Sequence, residues 1–285
     1  SKLNRDLSLA LGSSGLTPYE MASAYNTLAN GGHRVDAHFI QAIESNNGET
    51  LYEHLAVTVC EPCQKSIDDY KKTLLEQEQT KEAELETDNF EITDLSEELS
   101  ELPLTLEQFS EQFPPLAPRV MDERVNYLMY TMLKDVIKRG TGKRALALKR
   151  TDLAGKTGTT NDQKDAWFSG FNGEIVANVW VGFDSPKTMG RSTFGSNTAL
   201  PIWVEFMKTA LKDMPNAPLK QPDGLVSVRI DPNTGNRAYP GQANAIFETF
   251  RVENIPKEMQ QAPGVSDDGQ SDFANDDEDI PEQLF

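Results

Sequence analysis

Apolar residues recur at three- and four-residue intervals in three stretches of the chain, each of which predicts a helix. From Glu123 to Lys138 they are Val125, Leu128, Met129, Met132, Leu133, Val136 and Ile137, and Arg139-Gly140-Thr141-Gly142 supplies the stop. An earlier helix begins at Thr17-Pro18-Tyr19-Glu20, where the threonine can cap an orphan N–H, the glutamate can reach back and proline takes the first helical position. It runs to about Asn30 with Met21, Tyr25 and Leu28 at core spacing, and Gly31-Gly32 ends it because a left-handed residue is needed there. The third covers Ala199 to Lys212, where Ile202, Val204, Phe206, Met207 and Leu211 could pack over a sheet and Trp203 reads as core.

Between the second and third helical stretches the pattern changes to runs of aromatic and β-branched residues. Asp165 to Phe171 and Ile175 to Asp184 read as two strands joined at Asn172-Gly173, and the run into Lys156-Thr157-Gly158 as a third strand at one side of them. A shorter pair, Ala37 to Glu44 and Thr50 to Glu53, flanks Asn47-Gly48, which predicts a type I′ hairpin turn. The fold class that follows is α+β, an antiparallel sheet flanked by helices.

Composition adds a division of the chain. Only 38% of the 285 residues are apolar and the net charge is −18. The acidity is local, with fifteen acids against three lysines between Asp68 and Glu111, and eight acids with no base from Asp267 to Glu282. What is left is near neutral, so the charge says little about a ligand. We therefore expect a globular part over 1–60 and 116–260, an acidic insertion with short helices over 61–115, and a disordered acidic tail over 261–285. A solvated excursion is the plain reading of the insertion, and docking of a partner through Phe90, Phe109 and Phe113 is the alternative. No run of 18 apolar residues, no phosphate-binding glycine loop and no basic nucleic-acid patch is present. Cys60 and Cys63 form a lone Cys-x-x-Cys, read as a small disulfide loop or, with His54, as part of a zinc site.

Candidate chemistry concentrates in Lys156-Thr157-Gly158-Thr159-Thr160. A lysine offers positive charge to a carboxylate, threonine hydroxyls offer directional hydrogen bonds, and a glycine lets a substrate lie against the main chain as an added strand. Lys-Thr-Gly is also one of three motifs shared by penicillin-binding proteins and serine β-lactamases. With Gly12-Ser-Ser-Gly-Leu-Thr-Pro-Tyr-Glu-Met-Ala22, Val136-Ile-Lys-Arg-Gly-Thr-Gly142, Ala154-Gly-Lys-Thr-Gly-Thr-Thr-Asn161, Asp165-Ala-Trp-Phe-Ser-Gly170 and Trp180-Val-Gly-Phe-Asp184 in that order, the chain resembles the class A penicillin-binding proteins, and among them the 1A type of Gram-negative bacteria. The resemblance covers roughly residues 7–58 and 118–255.

That resemblance implies a β-lactamase/transpeptidase-like fold, here incomplete, and a D,D-transpeptidase that cross-links peptidoglycan stem peptides through a serine acyl-enzyme. It further implies a bifunctional parent enzyme, with lipid II-derived glycan strands and β-lactams among its partners, in the inner membrane facing the periplasm. No metal or organic cofactor and no nucleic acid is called for. Lys156 and Thr159 would be catalytic, the latter through its N–H as half of an oxyanion hole, while Thr157, Gly158 and Thr160 would bind substrate. Asp165 and Trp167 are read as structural. The sequence contains no Ser-x-x-Lys, and its single Ser-x-Asn, Ser45-Asn46-Asn47, falls in the expected hairpin turn. The chain is thus expected to be the C-terminal part of a transpeptidase domain, inactive by itself. A serine β-lactamase or D,D-carboxypeptidase relative is the enzyme alternative, and a noncatalytic module that meets cell-wall regulators through the insertion is the other.

Overall fold

The computed structural model describes residues 3, 6–12, 14–85 and 104–257, so Phe90 and the acidic tail lie outside the described residues. These residues group into two compact units divided between Gln221 and Pro222, inside the segment that composition treats as one.

In the first unit a short 3-10 turn, Leu7–Leu11, is followed by helix α1 (Pro18–Ala29). Its start is the expected capping box: Thr17 Oγ1 accepts from Glu20 N at 3.2 Å, and Glu20 Oε2 accepts from Thr17 N at 2.8 Å. Gly31 and Gly32 stop it at φ 66° and 97°. A Cβ on Gly32 would sit 2.5 Å from the Met121 carbonyl oxygen, so this position needs glycine for space as well as for conformation.

Strands β1 (Ala42–Glu44) and β2 (Thr50–Glu53) form an exposed hairpin, shorter on its first side than its sequence suggests. Its turn is not type I′, which needs positive φ at both central residues. Only Gly48 is left-handed; Gly48 N donates to Ser45 O, and Ser45 N donates to Glu49 O. This is a type I turn closed by a glycine bulge, and the register shifts at Ile43/Glu44. Ser45 Oγ accepts from Glu49 N at 3.1 Å, so the serine serves the turn.

The acidic insertion begins with a single long helix, α2 (Glu61–Leu85), in place of the short helices expected. Pro62 suits a first turn, the Glu, Gln and Lys content favours helix, and Lys72 pairs with Glu76 one turn on. None of its described side chains is buried. Cys60 and Cys63 at its start are joined as a disulfide, while His54 stacks on His38 at 3.6 Å between ring centroids. Helix α3 (Leu106–Ser110) folds back against α2, with Phe109 stacked on Tyr70 at 4.0 Å and Phe113 5.7 Å from Phe109. Two of the three phenylalanines offered as a partner surface are therefore engaged inside the insertion. At its base Thr58 N donates to Pro115 O and Ala117 N to Thr58 O, so the two ends of the excursion leave and rejoin the body side by side.

Helix α4 (Glu123–Lys138) has the expected limits, capped by Asp122 Oδ1, which accepts from Arg124 N and Val125 N. Its buried side is turned from the expected one: Asn126, Tyr130, Leu133 and Ile137 are inside, whereas Met129 and Met132 are exposed. Asn126 can be buried because its Nδ2 donates to Leu28 O at 3.0 Å, tying α4 to the last turn of α1.

Strands β3 (Ala154–Thr159), β4 (Asp165–Phe171) and β5 (Val176–Gly182) make an antiparallel sheet in the order β3-β4-β5, with the Lys-Thr-Gly strand at one edge as expected. Alternation gives the sheet two faces. One carries Ala154 and Phe171, packed with Tyr130 and Leu133 of α4 and with Ala29 and Tyr25 of α1. The other carries Phe168, Ala177, Val179 and Val181 and is covered by helix α5 (Ala199–Ala210). Trp203 of α5 is fully buried, edge-on to Phe168 at 4.9 Å, with its Nε1 donating to Ala177 O; Val204, Met207 and Leu211 join it, but Ile202 and Phe206 face outward against expectation. The result is a three-layer α+β body, helices on both faces of an antiparallel sheet. The second unit is built on an antiparallel ribbon of β6 (Leu225–Ile230) and β7 (Ile246–Arg251). No helix among the described residues is long and apolar enough to cross a membrane.

Candidate active site

Strand β3 meets no other strand on its outer side among the described residues. The ladder on its inner side fixes which of its groups face out. Thr160 N donates to Asp165 O across the pair that ends the β3–β4 hairpin, so Thr160 is in a hydrogen-bonded pair, and pairs alternate along an antiparallel ladder. Thr159 opposite Ala166 and Thr157 opposite Phe168 therefore turn their N–H and C=O groups to the open edge, while Gly158 pairs inward with Trp167. Lys156 reaches the same edge, its Nζ donating to Thr157 O at 2.8 Å. The open edge thus presents two outward main-chain N–H groups, one ammonium and the hydroxyls of two threonines.

Those hydroxyls are each held from outside the strand. Thr157 Oγ1 lies 2.7 Å from Thr141 Oγ1, and Thr159 Oγ1 accepts from Gly195 N at 3.0 Å. Gly195 sits against the strand pair itself, since a Cβ there would come 2.3 Å from Trp167 O and 2.6 Å from Gly158 O. At Gly158 a Cβ would meet Trp167 Cβ at 3.1 Å, so the glycine keeps this part of the strand low over the face shared with α4. Thr160, expected at the same surface, is spent on the turn. Its Oγ1 accepts from Lys164 N and Asp165 N and donates to Asp165 Oδ2. The structure thus brings Lys156, Thr157, Gly158 and Thr159 to one edge and leaves the Thr160 hydroxyl out of it. Asp165 also accepts from Trp180 Nε1 at 2.8 Å, and Trp167 packs 6.2 Å from Trp180, in keeping with structural roles.

The strand is anchored at its entry by a buried ion pair that patterning did not reveal. Asp152 is fully buried, and its carboxylate accepts from Arg150 Nε at 2.9 Å and Nη2 at 2.6 Å, Asn172 Nδ2 at 3.0 Å and Ala217 N at 2.9 Å. Arg150 also donates to Met214 O and Pro215 O. Burial would raise the Asp152 pKa, but the Arg150 hydrogen bonds, the Ala217 N–H and the Asn172 amide together outweigh it and hold the carboxyl below its usual range. Tyr130 donates to Asp152 O, and burial pushes its phenol up to about 12. Such a fully satisfied cluster fixes one arrangement of α4, β3 and the β4–β5 turn. No three His, Cys, Asp or Glu side chains among the described residues come together as a metal site.

A family model described as the penicillin binding protein transpeptidase domain matches residues 1–191, two-thirds of the chain. The chain belongs to the penicillin-binding protein transpeptidase family. Penicillin-binding protein 1A of Pseudomonas aeruginosa is 45% identical over the whole of this chain, which spans 33% of that protein. Penicillin-binding protein 1A of Neisseria gonorrhoeae is 37% identical over 80% of the chain and 22% of its own length. The chain thus spans a third or less of these curated relatives. Among solved structures, penicillin-binding protein 1A from Haemophilus influenzae superposes with a TM-score of 0.66 at 30% identity, over 88% of this chain and 34% of that one. The penicillin-binding protein PonA1 from Mycobacterium tuberculosis, at 22% identity and a TM-score of 0.50 over 75% of this chain and 43% of that one, shares the fold. Within this transpeptidase family chain, Thr141, Lys156, Thr157, Gly158 and Thr159 all fall inside the matched span, and Gly195 lies four residues beyond it.

Proposed function

We propose that this chain supplies the substrate-holding edge of a peptidoglycan D,D-transpeptidase, the cross-linking part of a bifunctional cell-wall synthase on the periplasmic side of the inner membrane. The observation that carries this is the open β3 edge, where outward N–H groups of Thr157 and Thr159 flank Gly158 beside the Lys156 ammonium. A stem peptide ending in D-Ala-D-Ala would lie along that edge as an added strand. Its terminal carboxylate takes hydrogen bonds from the Thr157 and Thr159 hydroxyls and sits in the field of Lys156. In the same reading Thr160 closes the strand's far end and leaves substrate to the other residues.

The nucleophile of this reaction is a serine of a Ser-x-x-Lys motif, which this sequence does not contain. Supplied by further polypeptide of the same enzyme, its Oγ attacks the penultimate D-Ala carbonyl, the peptide C–N bond breaks, and the terminal D-Ala leaves with the proton on its amine. The amine of a neighbouring stem then attacks the ester, forms the new amide and returns the proton to the serine. The outward Thr159 N–H is one of two donors to the developing oxyanion; the loss of one such donor in another serine enzyme costs about 3–4 kcal/mol. A β-lactam would enter by the same path and stay as the acyl ester.

Incubation with a fluorescent penicillin tests the proposal. The 285-residue chain alone remains unlabelled, and polypeptide extended to include an upstream Ser-x-x-Lys becomes covalently labelled. Labelling of the short chain, or none of the extended one, contradicts it.

A further inference from the structure

The last turn of α4 and β3 meet at a contact that the proposed chemistry does not yet use. After Lys138 the chain folds back over its own helix: Gly140 N donates to Asp135 O and Val136 O, and Gly142 N donates to Val136 O at 2.8 Å. Closeness requires glycine at 140 and leaves little room for a side chain at 142. A Cβ on Gly140 would be 2.9 Å from Val136 Cα and O, and one on Gly142 3.1 Å from Val136 O. The following 3-10 turn, Lys143–Leu148, touches both α4 and α5, so this segment passes from one face of the sheet to the other around the β3 side. Thr141 sits between the two glycines, exposed, with its Oγ1 2.7 Å from Thr157 Oγ1. Its place is set by a helix whose Leu133 and Ile137 are buried in the body.

Two hydroxyls joined in this way use one proton between them and keep one for a third group. We propose that Thr141 is a positioning residue for carboxylate recognition, donating its proton to Thr157 Oγ1 so that the Thr157 proton is fixed outward toward the carboxylate of the bound peptide or β-lactam. This rests on the reading of the β3 edge given above. A carboxylate only accepts, so of the two arrangements of the pair, binding selects the one in which a proton points at it. Thr157 is the member on the edge strand, and Thr141 reaches it from the loop after α4. A donor that is itself hydrogen-bonded is polarised and gives a stronger bond, and bonds to charged groups exceed those to neutral ones. Lys156, whose Nζ donates one of its three protons to the Thr157 carbonyl, adds positive charge beside this contact.

The test uses the full-length polypeptide that carries an upstream Ser-x-x-Lys, and two probes, a penicillin and the same molecule with its carboxylate converted to a carboxamide. Wild type acylates faster with the carboxylate. Thr141→Val keeps the shape and removes the hydroxyl, and is expected to lower acylation efficiency by about tenfold for the carboxylate while leaving the carboxamide within about twofold. Thr141→Ser restores the carboxylate preference. Equal losses for both probes in Thr141→Val, no loss for either, or failure of Thr141→Ser to restore would overturn the role of Thr141. If wild type is acylated without preferring the carboxylate, the reading of the β3 edge fails first and this inference with it.

Discussion

Replacing Gly195 by alanine tests whether the segment before α5 holds the β3 edge in place. The added Cβ would stand 2.3 Å from Trp167 O, 2.6 Å from Gly158 O and 3.1 Å from Gly158 N, all main-chain atoms of the two strands that form the site. None of these can swing aside as a side-chain tip would. The alanine must lift the segment off the sheet, which breaks the 3.0 Å bond from Gly195 N to Thr159 Oγ1. Overpacking costs about 1–3 kcal/mol and a lost neutral hydrogen bond about 1 kcal/mol, so the variant is expected to lose about 2–4 kcal/mol. In urea, with a slope of about 2 kcal/mol per molar, the unfolding midpoint falls by about 1–2 M. Gly15→Ala is the control, since nothing lies within 4 Å of a Cβ there and its effect stays within about 0.5 kcal/mol. A Gly195→Ala midpoint that matches wild type would refute the claim that this segment is clamped against β3 and β4.

Further predictions follow from the core and the insertion. The depressed Asp152 pKa makes its contribution to stability complete above the unfolded value of about 3.9 and lost as pH falls through the lower folded value, so wild-type unfolding measured from pH 7 down to 2 weakens in that acid window. Arg150→Met leaves the carboxylate buried without its partner and costs about 3–5 kcal/mol at pH 7; burial then prevails, the folded pKa rises, and stability should increase on mild acidification, with an unchanged pH profile counting against the account. Trp203→Ala removes a fully buried ring and should destabilise by about 3–5 kcal/mol in the same denaturation assay. Phe109→Ala should loosen α3 from α2, seen as faster amide exchange at 106–111 with the sheet unaffected. Thiol titration of unreduced protein should find no free cysteine, and metal analysis no stoichiometric zinc; either one present would reverse the reading of Cys60 and Cys63.

Local signals and long-range ones were unequally legible. The capping box at Thr17 and Glu20 and the three strands around Asn172 follow from neighbours in sequence, and the structure places them where that reading put them. The limits of α4 follow likewise from its apolar period and glycine stop, yet its buried side does not, because Asn126 is inside only by virtue of the Leu28 carbonyl, 98 residues away. The hairpin at Asn47-Gly48 reads correctly as a turn, but the choice between two turn types depends on one extra residue, which Ser45 and Glu49 absorb. Acidic composition marks the insertion as an excursion without revealing α2, whose residues are good helix formers as well as charged. At the site itself Lys156, Thr157, Gly158 and Thr159 are visible as a motif. Their supports, Thr141, Gly195 and the Arg150–Asp152–Asn172 cluster, come from segments that only the fold brings together.

A crystal structure of polypeptide carrying an upstream Ser-x-x-Lys, acylated by a penicillin, puts the whole account to its most direct test. The drug should lie along the open side of β3, its carboxylate within hydrogen-bonding distance of the Thr157 and Thr159 hydroxyls and its acyl oxygen on the Thr159 N–H. A bound drug whose carboxylate sits away from β3, or whose acyl oxygen takes no bond from Thr159, would contradict it.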